Sequence, residues 1–247
     1  MNVIYMVNGD KVTKIDLGKF KSIKKRTSFK VDRQILKNMN NKNVGISLNS
    51  KKAYIVIEGE EIYIKYFKFP KVSESKLYEL INNELNYLYR NESFVFNYKK
   101  IKQSINTIEV IVFYFRSEEL NLIDKFVEDK QLKAVRLIQM CVLNYYKKLI
   151  KEKDYFIVFK YNFHNYIMCV RNNNIYANEV YDMLQDKEYN KMKNFIVSNC
   201  EKGSLTNKIY IIGKCIKDTN IIKFLQEYGQ INFLKDIDLN KISKIIV

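Results

Sequence analysis

Apolar positions along this chain recur with two periods, and the changes between them divide it into elements. Residues 3–7 and 12–17 are strand-like apolar runs that flank Asn8-Gly9, a dipeptide suited to the left-handed backbone of a two-residue hairpin turn. Residues 32–40 carry Ile35, Leu36 and Met39 at helical spacing, with Asp32 as a cap; residues 44–48 and 53–57 are further strands. Glu58-Gly59-Glu60 then turns the chain into Ile62, and its carboxylates, like most near turns, are expected in solvent. Residues 62–137 give strand, helix, strand, strand, helix, strand. Ile62, Ile64, Phe67 and Phe69 form a run stopped by Pro70, which lacks the N–H a ladder needs. Ser73 caps a helix with Glu74 in its first turn and Leu77, Leu80, Ile81, Leu85 and Leu88 on one face. Phe94, Phe96 and Tyr98 alternate, residues 108–115 form a second run, Ser117-Glu118-Glu119 starts a helix, and residues 133–137 are a short strand.

The last part begins with a helix over residues 138–150. Residues 156–160, 163–171 and 175–180 follow as three strands, with Asn172, Asn173 and Asn174 turning the last two. Tyr189, Met192, Ile196 and Val197 mark the inner face of a helix, residues 208–212 a buried strand, and Asp218 caps a helix that stops at Gly229.

With 247 residues, 47% hydrophobic content, one proline and seven glycines, the chain has enough apolar surface for a core of two subdomains and little material for disordered linkers. Its apolar runs fall far short of the ~20 residues that cross a bilayer, and residues 1–7 lack the basic region of a signal peptide. Cys141, Cys169, Cys200 and Cys215 are widely spaced, without a Cys-x-x-Cys pair or a nearby histidine. They are expected as buried thiols, with no metal site. The formal charge of +16 suits contact with anionic lipid or nucleic acid, but the abundance of Lys, Asn, Ile and Tyr also fits a low-GC genome. The densest basic stretch spans residues 19–30. It is expected either as a lysine-guarded strand edge or as a lipid-facing segment through Lys24, Lys25 and Arg26.

Several features between residues 62 and 137 occur together: the strand ended by Pro70, the helix with Glu84 on its buried side, the Asn97-Tyr98 pair, the apolar strand after it, the Ser117-Glu118 start and the Gln131-Leu132-Lys133 step. In order and spacing they resemble PilM, a pilus-assembly family of the actin-like proteins, to which the cell-division protein FtsA also belongs. A weaker likeness runs on to Leu234. The resemblance implies an α+β / α/β chain with a reduced actin-like (ribonuclease-H-like) fold. Residues 1–61 would form an N-terminal subdomain, 62–137 an inserted small α+β subdomain, and 138–247 a C-terminal subdomain.

Actin-like ATPases hold nucleotide between two β-hairpins, whose turns supply an aspartate for the metal and a glycine for close backbone approach. Here the corresponding positions are Tyr5, Met6 and Val7 in the first hairpin and Phe159, Lys160 and Tyr161 in the second. The adenosine-side glycine pair is reduced to Gly213-Lys214. Phenylalanine cannot hold magnesium and tyrosine blocks the approach glycine permits, so no cofactor and no ATPase activity are expected. His164, the only histidine, has no nucleophile beside it in any motif.

The resemblance thus implies a non-catalytic scaffold, cytoplasmic and peripheral at the inner face of the membrane, within a type IV pilus, competence or secretion platform. It would dock the tail of a single-span inner-membrane partner, usually called PilN, with Tyr66, Glu84, Tyr87 and Leu88 as candidate contacts. A homo-oligomer and an anionic membrane surface are further possible partners. Two rivals stay open: a basic nucleic-acid-binding module, against which the aromatics in strand-like runs argue, and a nucleotide sensor without turnover.

Overall fold

The computed structural model describes residues 2–9, 11–18, 21–30, 52–90, 94–116, 132–182, 186–200, 208–213 and 219–247. The expected helix at 32–40, the strand at 44–48, the helix after Ser117, Cys215 and the cap Asp218 lie outside them.

The chain forms two compact units, one of residues Met1–Gly59 with Leu122–Val247, the other of Glu60–Asn121. The first unit holds two five-stranded sheets of the same wiring. In one, β1 (Asn2–Asn8), β2 (Lys11–Leu17) and β3 (Ile23–Lys30) form an antiparallel meander, and β4 (Lys52–Ile57) lies parallel to β1. Skipping the inserted unit, the chain returns as the strand Leu132–Leu137, parallel to β4. In the other, the meander comes from Tyr155–Tyr161, His164–Arg171 and Asn174–Tyr181, followed by Lys208–Ile212 and Gln230–Leu234, both parallel to the first of these. Both sheets therefore run 3-2-1-4-5 within their lobe, and each fifth strand leads toward a helix.

The inserted unit is a three-stranded antiparallel sheet covered by one helix. In chain order, β5 (Tyr63–Pro70), α1 (Glu74–Leu88), β6 (Phe94–Gln103) and β7 (Thr107–Arg116) build it, with β7 central. Numbering continues with β8 (Leu132–Leu137), α2 (Ile138–Tyr146), β9 (Tyr155–Tyr161), β10 (His164–Arg171), β11 (Asn174–Tyr181), α3 (Asp186–Asn199), β12 (Lys208–Ile212), α4 (Thr219–Gln226), β13 (Gln230–Leu234) and α5 (Leu239–Ile246). The expected boundary at residue 137 is corrected: β8 belongs to the first lobe's sheet, and the compact insert ends at Asn121. A short strand shows in the sequence as a strand, but its partner is a distant segment that local pattern does not reveal.

Why these segments fold as they do follows from their spacing. Ser73 Oγ accepts a hydrogen bond from Lys76 N at 3.4 Å, the cap expected of α1. Leu77, Ile81 and Leu85 are fully buried against Phe69, Ile108, Val110 and Val112, each such side chain contributing roughly 1.5–3 kcal/mol. Glu84, by contrast, is exposed, not on the buried side. In the second lobe, Phe156, Val158, Ile167, Cys169, Ile209 and Ile211 form one face of the sheet, packed under Met192, Phe195 and Ile196 of α3 and Leu225 of α4. Val197, expected inward, is 53% exposed. The two lobes are tied at their ends: Tyr146 of α2 donates to the Lys235 carbonyl at 2.6 Å, and Ser243 of α5 to that of Lys21 at 3.2 Å. Cys141 and Cys169 are buried free thiols, whose pKa burial pushes up to about 12 and about 11.

Candidate functional site at the paired hairpin turns

The turn joining β1 to β2 and the turn joining β9 to β10 meet. Gly9, at φ 58°, supplies the left-handed residue of the first, and Asn162, at φ 52°, that of the second. Asn8 and Asn162, one from each turn, converge on Glu58, which follows β4. Asn162 Nδ2 donates to Glu58 Oε2 at 2.6 Å and Asn8 Nδ2 to the same oxygen at 3.3 Å. Glu58 is only 4% exposed, which corrects the expectation that this carboxylate is solvated. Burial raises its pKa, partly opposed by the two asparagine bonds and by the charges of His164 and Arg26.

His164, at the start of β10, extends the network. Its Nδ1 lies 2.8 Å from Asp182 Oδ1 and its Nε2 lies 3.1 Å from Asn8 Oδ1, so whichever nitrogen carries a proton has an acceptor. Gly59 sits directly against the ring. At φ +84° it has the backbone glycine allows, and a Cβ there would stand 2.9 Å from His164 Nε2. The Gly59 N–H donates to the Tyr166 hydroxyl at 3.0 Å, and the Glu58 N–H to the Val7 carbonyl at 2.9 Å. Beneath the turns, Tyr161 Oη donates to Met6 Sδ at 3.5 Å, and Phe159 stacks on Tyr166 with centroids 4.6 Å apart. Burial raises the pKa of both Tyr161 and Tyr166, which keeps the phenols protonated.

This seam collects most of the positions where the sequence pointed to a degraded nucleotide site. Tyr5, Met6 and Val7 are buried in β1, and Phe159 and Tyr161 are buried in β9 while Lys160 is exposed. Gly213 follows β12 at φ 82°, its N–H donating to the Leu234 carbonyl at 3.1 Å, apart from the turn network; Lys214 lies outside the described residues. Sequence reading missed Glu58, Gly59, Asn8 and Asn162 as a set. The only local signals were two Asn-containing turns and a glutamate-glycine step after an apolar strand. Among the described residues no group of His, Cys, Asp and Glu is arranged to hold a metal ion.

The partner-contact candidates lie in the inserted unit and are all exposed: Tyr66 59%, Tyr87 70%, Leu88 41%, and Glu84. The fold does not bring them together. Tyr66 is paired with Ile111, whereas α1 packs on the sheet face carrying Val110 and Val112. Lys24, Lys25 and Arg26 are exposed on β3, one of the two edge strands of the first lobe's sheet.

No family model and no curated protein matches the sequence. Solved structures do match. An actin-like ATPase-fold protein of unknown function from Bacteroides thetaiotaomicron is 11% identical, with a TM-score of 0.59 over 98% of this chain and 95% of that one. The PilM-PilN type IV pilus biogenesis complex gives 11% identity and a TM-score of 0.57 over 98% and 89%. The cytoplasmic domain of EpsL, an inner-membrane component of the Vibrio cholerae type II secretion system, gives 6% and 0.54 over 99% and 93%. The chain has an actin-like fold, PilM-like in its arrangement, as the sequence implied. At these identities the likeness is one of fold.

Proposed function

We propose that this chain is a non-catalytic scaffold of a type IV pilus or related secretion platform, and that it docks the cytoplasmic tail of a single-span, PilN-like inner-membrane partner. The observation that carries the reading is the direct contact between the hairpin turns, Tyr161 on Met6 and Asn8 with Asn162 on Glu58. In ATPases of this fold the same turns stand open around phosphates and a metal. Here their side chains satisfy one another, which supports a join made by protein at the place where the ATPases of the fold hold nucleotide. Support also comes from the likeness in fold to PilM-PilN and to EpsL, one in complex with a pilus partner and the other part of a secretion machine. Among the described residues no helix is long and apolar enough to cross a membrane, and a partner tail would hold the chain at the inner membrane face.

The exposed side chains of the inserted unit are the docking candidates, Tyr66 on one sheet face or Glu84, Tyr87 and Leu88 on α1. A tail that orders on binding is expected at micromolar affinity. The test is to titrate the first ~20–30 residues of each neighbouring single-span membrane protein against the purified chain, a length that can supply one strand or helix of anchors. Calorimetry with Mg-ATP runs alongside and is expected to show nothing tighter than about 1 mM, roughly −4 kcal/mol. Failure of every tail would overturn the docking claim, micromolar ATP binding would favour the nucleotide sensor, and ATP hydrolysis would overturn the non-catalytic claim.

A further inference from the structure

The inserted sheet ends in a hairpin tip that is both ordered and apolar. Between β6 and β7 the chain turns through Ser104, Ile105 and Asn106. Ser104 N donates to the Thr107 carbonyl at 2.8 Å, Thr107 N to Ser104 Oγ at 3.1 Å, and the two hydroxyls lie 2.8 Å apart. The Asn106 carbonyl accepts from Lys71 N at 2.9 Å, fixing the turn to the end of β5. At its apex Ile105 is 88% exposed, above every other large hydrophobic among the described residues. A β-bulge between Lys100 and Lys102 adds Ile101, 53% exposed, on the same hairpin.

Lysines surround these two isoleucines. Lys68, Lys99, Lys100 and Lys102 are exposed on the strands leading to the tip, and Lys71 is exposed directly after β5. Against them stand Glu74, paired with Lys100, and Glu109, in register with Lys68 and Lys102, so the collar stays net positive. A single exposed isoleucine is ordinary. An ordered apex of isoleucine above a cationic collar is the amphipathic layout of an interfacial anchor, in which apolar groups enter the acyl boundary and cations meet phosphate headgroups. A turn apex presents one side chain outward and offers a peptide no groove. In the basic run on β3, the apolar side chain described beside Lys24, Lys25 and Arg26 is the half-buried Ile23, not an exposed apex.

We propose that the β6–β7 tip docks on an anionic phospholipid bilayer, with Ile105 and Ile101 at the acyl boundary and the lysine collar on the phosphates. This contact is independent of tail docking and would hold the inserted unit against the membrane on which the partner sits.

The test uses the full chain with phosphatidylcholine vesicles containing about a quarter phosphatidylglycerol, and with phosphatidylcholine alone. Binding is expected on the first and not the second, falling steeply with salt. Lys99→Glu with Lys102→Glu should weaken it by at least five-fold per cation, and Ile105→Ser with Ile101→Ser by about ten-fold. The chain has no tryptophan, so Ile105→Trp places a single emitter at the tip, and its emission should shift to the blue on anionic vesicles. Unshifted emission, or equal binding by the serine variant, would overturn the proposal; soluble polyglutamate binding as well as the vesicles do would replace it with an acidic protein ligand. No tail peptide is present, so failure here leaves the scaffold reading standing and failure of the tails leaves this one standing.

Discussion

The hairpin seam and the inserted unit handle polarity in opposite ways. At the seam, polar side chains are drawn inward: Glu58 is 4% exposed, Asn8 and Asn162 donate to it, and His164 bridges to Asp182. In the inserted unit, apolar side chains are left outward, with Tyr66, Tyr78, Tyr87, Ile101 and Ile105 all more than half exposed. Buried polar groups are costly unless satisfied, and once satisfied they fix one arrangement. Exposed apolar groups cost solubility and are useful where something covers them. The difference teaches where to look for each role. At the seam the convergent polar groups satisfy one another, and in the insert several large apolar side chains stay uncovered, so on the proposed reading the first is a join and the second offers surface for recognition.

Substitution at Gly59 should break the seam most severely. Alanine at φ +84° is strained, and its Cβ would meet His164 Nε2 at 2.9 Å with the Tyr166 hydroxyl bond to the same residue's N–H holding the backbone in place. Gly59→Ala is expected to cost about 2–4 kcal/mol in urea unfolding, from backbone strain and overpacking together. A loss within about half a kcal/mol, the range of surface changes, would mean the turns yield easily and the join is loose.

The pH dependence of stability sharpens the same comparison. Burial raises the pKa of Glu58, so the folded chain keeps that proton to higher pH than the unfolded chain does. Its contribution to stability is fully present below the ordinary carboxylate range and is lost as pH rises through the raised value. Glu58→Gln keeps an oxygen for the two asparagines and removes the charge. It is expected to be more stable than the parent at neutral pH and to lose that part of the slope in melts from pH 4 to 8, a range spanning the ordinary carboxylate value of about 4.3. A destabilised glutamine variant with the slope intact would show that the charge of Glu58 is held favourably by His164 and Arg26.

How much of this was legible in the sequence depends on how local each feature is. The Asn8-Gly9 hairpin, the Ser73 cap, the Leu77, Ile81 and Leu85 face and the turn through Asn172 and Asn173, both at positive φ, are set by neighbours a few residues apart, and all appear in the fold. The pairing of β8 with β4 was hidden, because the whole insert lies between the two strands. Glu58 was misjudged for the same reason. A glutamate beside a turn is solvated unless distant groups converge on it, and Asn162 lies 104 residues away. Tyr66 and Tyr87 both show as aromatics in the insert, but only the strand register places Tyr66 on the sheet face away from α1.

The smallest expected effect on stability separates recognition from packing in the insert. Tyr87 and Leu88 close α1 on its solvent side, at 70% and 41% exposed, and Arg90 stacks over the Tyr87 ring with its guanidinium 5.6 Å from the centroid. Tyr87 buries little area in the folded chain and Leu88 only part of its side chain, and an exposed cation–π contact contributes only about 0.5–1 kcal/mol. Tyr87→Ala and Leu88→Ala should therefore each cost urea unfolding no more than about 1 kcal/mol. If α1 receives the partner tail, the same changes remove apolar anchors from a helix or strand lying along it, and a central anchor typically costs a complex about 1–2 kcal/mol or more. Tail affinity should then fall roughly ten-fold with the melting temperature lowered by no more than about 4 °C. Unchanged affinity in both variants, with a loss on Tyr66→Ala, would move the docking surface to the opposite face of the sheet. A fall in stability with affinity intact would show that these side chains pack within the unit and present nothing to a partner.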